Sequence, residues 1–128
     1  MKPKRIWGNL GVEDLDRSTK FYSALGFQSN GRSEELTSFF FGDDKFILHF
    51  FLKDPLRSGM KGELADPKKG NEIIFSLSAD TREEVDLWEQ EVEKAGGKLI
   101  SRAEVFGNNY YGFVFADPDG HRFNVFHM

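Results

Sequence analysis

Apolar and polar residues alternate with period two over residues 5–12, where Ile6, Leu10 and Val12 fall on one side and Trp7 and Asn9 on the other. That pattern predicts a strand with two unlike faces. The period then lengthens. Asp14, Leu15 and Asp16 open a helix with acidic groups at its positive end, Phe21, Tyr22 and Leu25 form its apolar stripe, and Gly26 stops it. Three β-type runs follow at 27–30, 36–41 and 45–52, the last two separated by Gly42, Asp43 and Asp44 as a hairpin turn. Residues 53–70 are polar and carry Pro55, Gly59, Gly62 and Pro67, which predicts a long connection with one short helix around 60–65. The same order then returns. Residues 72–78 read as a strand, and Thr81 and Glu84 stand at capping-box spacing. Val85, Trp88, Val92 and Ala95 follow at helical spacing, and Gly96 and Gly97 close the helix. Strand-like runs at 98–101, 110–115 and 122–127 complete the chain, with Asp117, Pro118, Asp119 and Gly120 as a turn.

The chain therefore reads as βαβββ twice. It predicts an α+β fold in a single domain spanning 1–128, with module one at 1–52, a linker at 53–70 and module two at 71–128. The two sheets are expected to form one curved, cup-like surface.

Composition narrows the chemistry. There are no cysteines among the 128 residues, which excludes disulfides, thiolate nucleophiles and zinc sites built on sulfur. The 14 phenylalanines supply large apolar area for a core or a pocket. A net charge of −4 without a clustered basic stripe argues against nucleic acid as a partner. No apolar run is long enough to cross a bilayer, and the N-terminal residues lack the apolar stretch of a signal peptide, so a cytoplasmic location is expected. GxSxG, P-loop and dinucleotide glycine patterns are missing.

Two strings carry a family resemblance. Val12-Glu13-Asp14-Leu15-Asp16-Arg17-Ser18 with Phe21, Tyr22, Leu25, Gly26 and Phe27 resembles the first-module signature of the vicinal-oxygen-chelate superfamily. That superfamily includes glyoxalase I, bleomycin-resistance proteins and extradiol dioxygenases. Phe115-Ala116-Asp117-Pro118-Asp119-Gly120-His121 with Phe123 is similar to its second-module signature. The resemblance implies a cup whose metal ligands, usually histidine and glutamate, stand at four strand positions. Carried onto this chain, those positions fall on Trp7, Leu48, Ile74 and Asn124. An indole, two aliphatic groups and one carboxamide do not hold a divalent cation. His49, one step from Leu48, is expected on the opposite face and in a structural hydrogen bond. His121 and His127 are expected to serve the fold.

With that parity, Trp7, Asn9, Phe46, Leu48, Phe50, Ile74, Ser76, Asn124 and Phe126 are expected to line the cup, with Arg122 at its rim and Tyr110 and Tyr111 at its mouth. Apolar walls with a few polar groups are the usual make-up of small-molecule sites. The expected function is metal-free binding of an aromatic or amphipathic small molecule, with no cofactor and no assigned catalytic residue. Bleomycin, being cationic, suits such a cup poorly. The competing expectation is a metal-dependent lyase, isomerase or dioxygenase with His49, Glu72 and Asn124 as ligands. The resemblance also implies a homodimer.

Overall fold

In the computed structural model, which describes residues 1–128, the chain divides into two units, Met1–Leu64 and Ala65–Met128. Each begins with a strand running into a helix whose start is written in side-chain chemistry. In the first unit, β1 (Trp7–Val12) leads into α1 (Leu15–Ala24), and the Asp14 carboxylate accepts from the Arg17 backbone N–H at 3.0 Å. In the second, β5 (Ile74–Ser78) leads into α3 (Arg82–Ala95), and the Thr81 hydroxyl accepts from Glu84 N–H at 3.1 Å. The Glu84 carboxylate reaches back to the Asp80 N–H at 2.6 Å, one residue before the position a regular capping box uses. Gly26 (φ 89°) and Gly96 (φ 97°) leave the helices in the left-handed region, as expected at both places.

The first unit adds β2 (Ser29–Arg32), β3 (Leu36–Phe41), β4 (Phe46–Leu52) and α2 (Lys53–Met60), and its sheet has the order β1-β4-β3-β2. β1 runs parallel to β4, placing Trp7 beside Ile47 and Asn9 beside His49. α1 covers one face. Tyr22 stacks on Phe50 with ring centroids 4.4 Å apart, and Phe21, Phe39, Leu48 and Val12 complete a core that is at most 1% exposed.

The second unit adds β6 (Lys98–Leu99), β7 (Glu104–Phe106), β8 (Tyr110–Ala116) and β9 (Arg122–His127) in the order β5-β9-β8-β6, with β7 also on β8. β5 is parallel to β9, pairing Ile74 with Arg122 and Ser76 with Asn124. α3 covers the face where Phe115 and Phe123 stack at 5.2 Å beside Val85, Val92 and Val125. No helix is long and apolar enough to cross a membrane.

Two parts of the fold depart from the expectation. Helix formation after the first module occupies Lys53–Met60, directly behind β4, not 60–65. Pro55 sits in its first turn, where a missing N–H costs no hydrogen bond, and Lys61 (φ 57°) ends it. Glu104–Phe106, unassigned from the sequence, forms the short strand β7. The buried Leu56 anchors α2, and a Cβ added at Gly11 would meet Leu64 and Leu56 at 3.3 and 3.4 Å. α2 and the segment after it therefore close over one end of the uncovered face of the first sheet, where glycine is needed for the approach.

Candidate functional site

Each sheet keeps one face free of helix. Strand residues alternate between faces, and paired residues share one, so the ladder registers assign every side chain. In the first unit the open face holds Trp7 and Asn9 from β1, Ile47, His49 and Phe51 from β4, and Ser38 and Phe40 from β3. In the second it holds Ile74, Ser76 and Ser78 from β5, Arg122, Asn124 and Phe126 from β9, and Tyr110 and Val114 from β8. Trp7 and Ile74 are 50% and 47% exposed, a large area for side chains so apolar.

Of the residues expected in the site, Trp7, Asn9, Ile74, Ser76, Tyr110, Arg122, Asn124 and Phe126 stand on open faces. Leu48 and Phe50 do not. They are 1% and 0% exposed under α1, on the face of Tyr22. Phe46 shares their parity, but at the end of the sheet it remains exposed and lines a groove of about 580 Å³ with Ile6, Trp7, Phe40 and Ile47. The whole of β4 is thus turned over relative to the expectation, because a one-residue slip in register exchanges the faces. Tyr111 is also on the covered side: its hydroxyl donates to Asp86 on α3 at 2.5 Å, and Arg82 lies over its ring at 5.1 Å. The hydrogen bond to the Asp86 carboxylate pushes the phenol pKa up.

The slip that buries Leu48 brings His49 to the open face. It lies edge-on to Trp7, ring centroids 6.4 Å apart. Its Nδ1 is 2.8 Å from the Ser38 hydroxyl, which accepts from the Asn30 amide at 3.1 Å. A hydroxyl that accepts from Asn30 has its own proton to give, and Nδ1 is the acceptor in reach. The imidazole proton is then on Nε2. Burial lowers the His49 pKa below its ordinary 6.5, so the ring is neutral at physiological pH. The other two histidines serve the fold: His127 Nδ1 donates to the Ala79 carbonyl at 3.1 Å, and the His121 N–H donates to the buried Asp117 at 2.8 Å.

The two units match position by position. Trp7 precedes the helix cap Asp14 by seven residues and Ile74 precedes Thr81 by seven (14 − 7 and 81 − 74). Two residues on, Asn9 pairs with His49 and Ser76 pairs with Asn124. His49 is therefore the counterpart of Asn124, and the four equivalent positions are Trp7, His49, Ile74 and Asn124.

The family model described as Glyoxalase/Bleomycin resistance protein/Dioxygenase superfamily matches residues 7–125. The chain belongs to that superfamily. A hypothetical protein from S. aureus, SA1046, is 30% identical over 100% of this chain and 96% of its own, with a TM-score of 0.88. A lactoylglutathione lyase from Agrobacterium tumefaciens is 22% identical over 99% of this chain and 96% of its own, with a TM-score of 0.69. A bleomycin-binding protein solved with bleomycin is 19% identical over 98% of this chain and 99% of its own, at 0.67. No curated protein matches the chain by sequence. Proteins described as a lyase and as a bleomycin-binding protein thus share this fold, so the fold alone assigns no role.

Those side chains do not fit a divalent metal. Nowhere do three His, Asp or Glu side chains gather closely enough to hold one. The four equivalent positions offer one imidazole and one carboxamide.

Proposed function

We propose that the protein binds a small aromatic or amphipathic molecule against the open sheet faces without a metal, and that it does so as a cytoplasmic homodimer. One observation carries the reading: the positions equivalent in the two units hold an indole, a neutral imidazole, an aliphatic group and an amide. Such a set stacks and hydrogen-bonds but does not polarise a substrate through a cation. Trp7, Phe40 and Phe51 give the first face its aromatic surface, and His49 and Asn9 supply polar contacts that orient a bound molecule. Exposed Trp7, Ile74, Val105 and Phe106 support the homodimer, since association would cover apolar area. The net charge of −4 supports a partner other than nucleic acid.

The test is a titration with 2-naphthol in EDTA, followed by the Trp7 indole N–H in 15N NMR. The expected result is a saturable shift of Trp7 that the chelator does not change, with the saturable change in 2-naphthol fluorescence on binding lost in Trp7→Ala. Absence of any shift, or binding that needs added Zn2+ or Ni2+, contradicts the proposal.

A further inference from the structure

Arg122 stands on the open face of β9 beside Ile74 and one face-step from Asn124. Arg32, Arg57 and Arg102 each sit against a carboxylate, but half-buried Arg122 has neither an ion pair nor a hydrogen bond. A guanidinium withdrawn in part from water has five N–H donors to satisfy. A groove of about 340 Å³ runs along this part of the sheet, lined by Asn71, Glu72, Ile73, Ile74, Val114 and Arg122. That volume falls in the range of small-molecule sites.

We infer that the open face of the second unit recognises a small organic carboxylate, Arg122 taking the carboxylate while the rest of the molecule lies along the groove. The inference rests on the ligand-binding reading above and specifies its ligand. A planar guanidinium matches a carboxylate through two parallel hydrogen bonds. One cation with Glu72 on the groove wall suits a singly charged acid better than a phosphate, which gathers several donors of positive charge. Ile74 and Val114 provide the apolar floor for the rest of the molecule. With the protein at −4 overall, anion binding has no general electrostatic origin and must arise at this site.

Two probes test it: 2-naphthoate and the neutral 2-naphthamide, titrated at 50 mM salt with the Arg122 Nε–H and Ile74 backbone amide signals followed by 15N NMR. Naphthamide is expected to bind at least about tenfold more weakly than naphthoate, on the basis of a charge-assisted bond being lost. Arg122→Gln removes the preference for acid over amide, read at the Ile74 amide. Arg122→Lys keeps the charge and retains part of the preference, which controls for damage to the fold. Equal binding of naphthoate and naphthamide, insensitive to Arg122→Gln, overturns the carboxylate inference and leaves ligand binding standing. If neither probe binds, the carboxylate inference is wrong, and the Trp7 titration decides the ligand-binding reading separately.

Discussion

Leu48 and His49 are adjacent in the chain and do opposite work. Leu48 is packed beneath α1, so Leu48→Ala should cost about 3 kcal/mol, in the range for emptied core sites, by chemical denaturation. Trp7→Ala, on the open face, should cost less than about 1 kcal/mol by area lost from a half-exposed site, yet abolish probe binding. The reverse pattern would mean that β4 faces the other way. His49 adds a pH signature. Its folded pKa lies below its ordinary value, so the unfolded chain binds the proton more readily. The contribution of neutral His49 is therefore fully present above pH 6.5 and is lost as pH falls through the folded pKa. Melting temperatures of wild type and His49→Gln between pH 5 and 8 should converge toward the acid end, and parallel curves would contradict the half-buried, neutral assignment.

At the scale of elements, period and caps were legible and facing was not. Asp14, Thr81, Gly26 and Gly96 announced both long helices because capping and left-handed exits are local chemistry. β4 misled because Phe46-Ile47-Leu48-His49-Phe50-Phe51-Leu52 is apolar on both faces, so alternation carries almost no sign. The available signal was His49 itself, the only polar side chain of that strand, which marks the open face as Asn9 and Asn124 do on theirs. Tyr110 and Tyr111 were both placed in the site, although neighbours in a strand cannot share a face. α2 lies earlier than expected: its N-cap, Leu52, makes no side-chain cap, and only Asp54 and Pro55 in its first turn mark its start. Two glycines make the element contacts testable. A Cβ at Gly112 would run into the Val125 carbonyl and come within 2.6 Å of Phe126 Cβ, so Gly112→Ala should cost on the order of 2 kcal/mol through overpacking and loosen β8 from β9. Gly11→Val should displace α2 and open that end of the first face, seen as loss of amide exchange protection at Leu56 while the α1 amides stay protected. Unchanged protection at Leu56 would show that α2 does not rest on Gly11.

For the whole molecule, the duplication was plain because each half repeats strand, helix and three-strand patterning, and it survives as two units with matching parallel pairs, β1 with β4 and β5 with β9. Exposed apolar side chains lead to one further expectation. Light scattering at micromolar concentration should give about twice 14.7 kDa, and a mass of one chain would remove the homodimer from the proposal.

The proposed chemistry of the open faces requires that they cage no cation. The direct measurement is elemental analysis by mass spectrometry of protein purified without chelator and again after incubation with Zn2+, Ni2+, Mn2+ and Fe2+ followed by desalting. The account predicts far less than one equivalent of any of these metals per chain in both samples. A single metal retained at about one per chain, and lost in His49→Ala, would contradict it.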